Sequence, residues 1–192
     1  NAGLLSLTGT GISGNVDSTS GSNGTLQFTG TSNALVVGTI GPTNPLAEVK
    51  FSGTTPVDIP TARANQFTIE NAGANVKASG LLTGNVVYNT SGIVSANAGI
   101  TGNANFAGNS GTLNLAAGKT ITGTVDNTGT TANKGTLNIT GGTVTGAVGS
   151  TNPLNTVTFN AGTSSLGSTA RASNFTVNSA TAAVTATGLL TG

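Results

Sequence analysis

The sequence predicts an all-β chain, and within that class a parallel (right-handed) β-helix, or β-solenoid, with coils of about 20 residues. Three observations lead there. Short stretches alternate apolar with polar residues, they recur at intervals near 20, and a long segment of the chain copies another. Gly38–Gly84 lies on Gly146–Gly192 without a gap at a constant shift of 108, with 24 of the 47 paired positions identical. Gly-Thr-Ile-Gly-Pro-Thr-Asn-Pro-Leu from Gly38 answers Gly-Ala-Val-Gly-Ser-Thr-Asn-Pro-Leu from Gly146. Thr-Ala-Arg-Ala answers itself, and Ser-Gly-Leu-Leu-Thr-Gly answers Thr-Gly-Leu-Leu-Thr-Gly. Upstream, Leu7–Asp17 resembles Leu115–Asp126 and Gly24–Gly30 resembles Gly135–Gly141, with small length changes.

The elements follow in order along the chain. Gly24–Phe28, Ala47–Phe51 and Gln66–Ile69 are the early strand anchors, and Ala34–Val37 is a further short apolar run. The later anchors begin at Gly111, Gly135, Asn155 and Asn174, at intervals of 24, 20 and 19. Leu137 with Ile139, Val157 with Phe159, and Phe175 with Val177 share a face in each case, the period of two that marks a strand. Between anchors lie two more short stretches per period, such as Thr143–Thr145 and Ala147–Val148, set off by Gly, Asn-Pro or Ser-Thr turns. No segment repeats at i, i+3, i+4, i+7, and 30 glycines are too many for helices. Three strands per period of about 20 residues make one coil, and nine or ten coils make a rod ~45 Å long at the strand spacing of ~4.8 Å. The whole of 1–192 reads as one continuous solenoid of tandem 108-residue repeats. Tandem β-sandwich domains, one per repeat, are the alternative, and a trimeric fibre such as a β-prism is a third. The sandwich fits less well because each repeat is itself subdivided.

Composition narrows the function. Six basic and five acidic residues give a net charge of +1, and Cys, His, Met and Trp are absent. Nucleic acid needs a basic stripe, which six scattered cations do not supply. No apolar run approaches the ~18 residues of a membrane span. Without His or Cys, zinc and most transition metals lack ligands, and no cofactor motif is present. The chain starts at Asn1 without an initiator methionine. The second copy stops at Gly192, where the first runs on through Asn85–Tyr88, so a piece of a longer array is expected.

Gly-Thr-Leu-Asn-Leu115, Gly-Thr-Leu-Asn-Ile-Thr-Gly-Gly-Thr-Val-Thr-Gly from Gly135, and Leu-Asn-Thr-Val-Thr-Phe-Asn from Leu154 resemble passenger domains of bacterial autotransporters. The nearest flavour is the repetitive rickettsial type of surface antigen. The resemblance covers nearly the whole chain in rhythm and composition. It implies a right-handed β-helix displayed at the cell surface, extracellular, in adhesion or a surface coat, and no catalytic motif. Partners are then neighbouring repeats or copies of the chain, head-to-tail or lateral, and a host receptor or glycan.

Four residues stand out as kept between copies. Asp17 and Asp126 each end a Gly-x-Val-Asp, and are expected to hold backbone amides at a turn, with a weak cation site as the rival reading. Arg63 and Arg171, each in Thr-Ala-Arg-Ala, are expected to cap carbonyls at a corner or stand in solvent, with a ligand or intersubunit contact as the rival. Phe51 with Phe159, and Phe67 with Phe175, fall on the inward phase and are expected to pack the interior. A carbohydrate-active β-helix enzyme would draw on Glu48, Asp58 and Glu70, but their counterparts at the shift of 108 are Thr156, Leu166 and Asn178. Lys50 and Lys77 are answered by Thr158 and Thr185. An ice-binding solenoid is a third reading, suggested by triplets such as Thr143-Val-Thr145 and Thr156-Val-Thr158, although their intervals vary. The expected role is structural and non-enzymatic.

Overall fold

Each alternating run becomes a strand, and each strand pairs in parallel with the strand one coil away. The computed structural model describes residues 3–31 and 33–192; Asn1, Ala2 and Ser32 lie outside the described residues. The 22 strands of the described residues build a β-solenoid of about 9 turns, and those residues contain no helix. Every pairing between these strands is parallel, as in Val76–Val94–Leu113–Leu137–Val157–Phe175, which removes the sandwich alternative.

Traced from residue to residue, the registers form three columns, one on each face of a roughly triangular coil. The first face carries the Val76-to-Phe175 column. The second face stacks Val16, Ile40, Ala62, Leu82, Ile100, Ile121, Val144, Leu166 and Ala186. The third stacks Leu26, Val49, Phe67, Val86, Ala104, Val125, Val148, Ala170 and Leu190. All these columns point inward, and away from the terminal coils their members are buried. Coil length varies: Val76 pairs with Val94 across a short coil, while Leu113 pairs with Leu137 across a longer one. The extra residues go into corners, such as the exposed loop at 130–133, because a strand that slipped by one would turn its inward set to water.

The sequence repeat and the coil are out of step. Val49 lies on the third face and its copy Val157 on the first. Ala62 lies on the second face and its copy Ala170 on the third. Phe67 lies on the third and Phe175 on the first. Counting coils along the third-face column from Val49 to Val148 gives five, and Val157 stands one face further on. One sequence repeat therefore turns five and a third coils, and the same sequence comes to rest a third of a turn around the axis.

The structure also corrects one pairing. The ungapped shift sets Leu166 opposite Asp58, but Leu166 is buried and stacks in the second-face column, as Ile59 does in its own. Asp58 corresponds to Ser165. The corner before that strand is one residue shorter in the second copy and the corner after it one residue longer, so the two changes cancel in the alignment. Inward alternation decides the register, and residue counts in corners do not.

The interior is narrow enough for rings to meet across neighbouring coils, in the offset or stacked geometry that aromatic pairs prefer. Phe28 and Phe51 stack with centroids 5.6 Å apart, and Tyr88 and Phe106 at 4.8 Å. Buried Tyr88 donates its hydroxyl to the Thr112 carbonyl at 2.9 Å. Phe51, Phe67 and Phe159 are buried as expected, while Phe175, near the last coil, is half-buried. Between the second and third faces four glycines stack over four successive coils: Gly84, Gly102, Gly123 and Gly146. A Cβ on Gly102 would lie 2.3 Å from the Gly84 carbonyl oxygen, on Gly123 2.4 Å from that of Gly102, and on Gly146 2.5 Å from that of Gly123. Gly102 also has φ +148, which side-chain-bearing residues rarely adopt.

Two substitutions should shift stability in opposite directions. Gly102→Ala forces a strained φ and a backbone clash together, and should cost about 3 kcal/mol in chemical denaturation. Ser164 is fully buried, and its hydroxyl has no hydrogen-bond partner among the described residues. Ser164→Ala removes that hydroxyl and should stabilise by about 1 kcal/mol. A neutral Gly102→Ala or a destabilising Ser164→Ala would contradict the packing described.

Candidate functional site

The retained aspartates and arginines come together at one kind of corner, three coils deep. In the first copy Asp17 lies on the lower coil, the Gly41–Pro45 turn on the middle one, and Arg63 on the upper one. Asp17 Oδ1 accepts from the amides of Asn44 (3.0 Å) and Ser18 (3.1 Å), and Oδ2 accepts from the Thr43 amide at 3.2 Å. From above, Arg63 Nη1 donates to the carbonyls of Pro42 at 3.0 Å and Gly41 at 3.3 Å, with Thr43 at the outer limit of 3.5 Å.

The second copy repeats the arrangement a third of a turn away. Asp126 Oδ1 accepts from the amides of Asn127 at 2.8 Å and Thr151 at 3.0 Å. Its Oδ2 accepts from the hydroxyls of Thr151 at 2.7 Å and Ser150 at 2.8 Å. Arg171 Nη1 donates to the Ser150 carbonyl at 3.0 Å. A turn whose amides face down and whose carbonyls face up is thus held between a carboxylate and a guanidinium. Charge-assisted bonds of this kind are about twice as strong as neutral ones. The chain folds this way because Asn-Pro closes the turn just before the strands that begin at Leu46 and Leu154, while Gly41 (φ +65) and Gly149 (φ +62) supply its left-handed residue.

Both carboxylates are shifted. For Asp17 the Asn44 amide does most to hold the carboxyl below the usual range, against a smaller upward push from burial. For Asp126 burial is the largest influence and pushes upward, but the Thr151 and Ser150 hydroxyls with the Thr151 and Asn127 amides together bring it below the ordinary value. The oxygens a cation would need are already accepting hydrogen bonds. Among the described residues no three His, Cys, Asp or Glu side chains gather as a metal site would require.

The carboxylates weighed for catalysis fall on two faces. Glu48 and Glu70 flank Lys50 on the third face, with Lys50 Nζ 2.8 Å from Glu70 Oε1 and 3.5 Å from Glu48 Oε2. Ser52 donates to Glu70 at 2.7 Å, and Thr68 donates to Glu48. Asp58 stands on the first face, paired with Lys77 at 2.9 Å. Lys50 is the main reason the Glu70 carboxyl is lowered, and Glu70 is the main reason the Lys50 ammonium is raised. Glycoside hydrolysis needs one carboxyl held protonated, and Glu70 is moved the other way.

Sequence reasoning missed two features. One is a shallow groove beside Arg63, floored by Gly84 and Gly102 and walled by Pro45, Asn65 and Asn85. The other is an array in register on the first face. There Thr112, Thr136 and Thr156 stack in one rank, and Asn114, Asn138 and Thr158 in the next. Asn138 donates to Asn114 at 2.9 Å and Asn114 to Ser95 at 3.3 Å, while the three threonine hydroxyls of the first rank make no hydrogen bond among the described residues. Varying intervals hid these ranks, since the variation is confined to corners. No protein family matches the chain, and neither a curated protein nor a solved structure does.

The lowered carboxyl of Asp126 makes a signed prediction. A group whose pKa is depressed by folding stabilises the fold above its unfolded value, and that contribution is lost as pH falls through the folded value. The wild-type melting point should therefore drop below about pH 4, a fall shared with Asp17 and Glu70. Asp126→Asn should be less stable at neutral pH by about 2 kcal/mol and flatter in that acid window. Parallel curves for the two proteins would show that Asp126 is not held by the turn.

Proposed function

We propose that this chain is a structural, non-catalytic segment of an extracellular rod at a bacterial surface, of the autotransporter passenger kind, serving in a stalk or coat. The observation that carries this reading is what the two copies share. Inward columns, corner glycines and the aspartate–turn–arginine clamp all hold coils together. Side chains suited to acid–base chemistry, Glu48, Lys50 and Glu70, are replaced by Thr156, Thr158 and Asn178. Tandem stacking extends such a rod without a new core for each unit.

Two measurements test it. An antibody against the folded chain should label intact source cells, and labelling only after permeabilisation would refute surface display. Incubation with polygalacturonate and neutral glycans should release no reducing ends above buffer. Release that Glu48→Gln or Glu70→Gln abolishes would establish the enzyme instead.

A second reading is supported by the first-face array. Ice-binding surfaces want flat, uncharged ranks of threonine in register, and Thr112–Thr136–Thr156 beside Asn114–Asn138–Thr158 provides three coils of such a grid. If ice is the ligand, freezing-point depression should appear at millimolar chain and fall at least fivefold in Thr136→Lys. No thermal hysteresis in the unmodified chain would dismiss this reading.

A further inference from the structure

Outward positions on the two copies mostly differ, but apart from the Thr-Asn-Pro turn of the clamp one patch does not. Thr61, Arg63, Leu81 and Thr83 lie on or just before adjoining strands of the second face, and their copies Thr169, Arg171, Leu189 and Thr191 are identical at all four places. Elsewhere Glu48, Lys50, Glu70 and Lys77 have become Thr156, Thr158, Asn178 and Thr185. Leu81 is 38% exposed although it faces away from the core, and Leu189, on the last coil, is 71% exposed. Packing does not require an outward leucine in either copy.

The groove described above, about 520 Å³ in volume, opens beside this patch, and Arg63 is the one charged residue among those lining it. Arg63 donates to the turn from Nη1 alone, which leaves Nε and Nη2 with no partner among the described residues. A guanidinium anchored along one edge presents its remaining donors in a fixed plane, the geometry that receives a carboxylate.

We infer that this patch is a binding surface for a protein partner that offers a carboxylate beside an apolar side chain. The carboxylate meets the unused donors of Arg63, and the apolar group meets Leu81. A second copy of this chain is a poor occupant, because Asp17, Glu48, Asp58, Glu70 and Asp126 are each already hydrogen-bonded or ion-paired. An acidic sugar fits less well than a peptide, since no aromatic ring beside the groove is exposed for a pyranose to stack on. The four-residue patch occurs twice, on faces a third of a turn apart and separated along the axis by five and a third coils, ~26 Å at the strand spacing, while the groove lies beside the first copy. A rod so equipped meets the same partner from more than one side. This inference rests on the structural-rod reading and adds to it the chemistry of the contact.

The test is a nitrogen-15 amide titration of the full chain with acetyl-Leu-Glu-amide, with acetyl-Leu-Gln-amide and free sialic acid in parallel. Saturable shifts are expected at Gly84 and Gly102 and again at Ala172 and Thr191. The glutamine peptide should bind at least fivefold more weakly and sialic acid no better than that. Leu81→Ser leaves the clamp intact and should weaken the first set of shifts only, and Arg63→Gln should erase the preference for Glu over Gln at that site. The spectrum itself reports whether each variant is folded. Unsaturable shifts, equal shifts from the glutamine peptide, or stronger binding of sialic acid would each overturn the inference. Surface labelling and glycan assays read the rod hypothesis separately, so the two can fail independently.

Discussion

The backbone ladder that runs along the axis is the constraint on which everything else depends. Each coil is fixed to its neighbours by parallel hydrogen bonds on three faces, so the inward residues of one coil must lie over those of the next. A face cannot gain or lose a single residue without exposing its whole inward set. Length can change only in corners, where nothing alternates. This is why Leu166 occupies the second-face column rather than Gly167, which residue count sets opposite the inward Ile59. It also explains how the short coil from Val76 to Val94 and the long one from Leu113 to Leu137 share one cross-section.

The same constraint makes the out-of-step repeat possible. If the faces differed in what they could hold, a sequence turned by a third of a circle would fail to pack. Here each face accepts an inward Val, Leu, Ile, Ala or Phe. Val49 and Phe51 serve the third face, and Val157 and Phe159 serve the first. The corners adapt in the same way. The Thr-Asn-Pro turn is gripped from below by an aspartate and from above by an arginine wherever it falls, because both partners sit at fixed coil offsets and travel with it. The clamp is thus a local device that carries its own geometry and does not depend on which face it joins.

That locality decided what could be read from the sequence. The all-β class, the coil length, the inward phenylalanines and the choice of Asp17, Asp126, Arg63 and Arg171 are all visible in period-two alternation and in the copied segment. That both grip the same turn was not visible, because aspartate and turn stand 26 positions apart and turn and arginine 20, and coils of unequal length hide which corners lie over one another. The groove beside Arg63 was hidden for a related reason. Its floor is made of Gly84 and Gly102, which read in sequence only as turn residues. The threonine ranks were obscured because intervals between triplets are set by corners, while alignment is set by strands.

The scarcity of charge follows from the ladder as well. Stacking at ~4.8 Å places any outward residue directly over its counterpart on the next coil, and like charges at such a distance repel by roughly 1 kcal/mol even in water. A repeat that copied a lysine onto every coil would accumulate that cost along its length. The exceptions obey the rule: Lys50 lies between Glu48 and Glu70, and Lys77 stands over Asp58. Asparagine avoids the problem, since an amide both donates and accepts. Asn138 can donate to Asn114 below it without penalty, as Asn114 does to Ser95. A long rod built by copying is therefore driven toward Thr, Asn and Ser on its outside, and a charge that persists in both copies needs a specific partner. Asp126 has one in the turn above it; Arg171 has one in the turn below, with donors to spare.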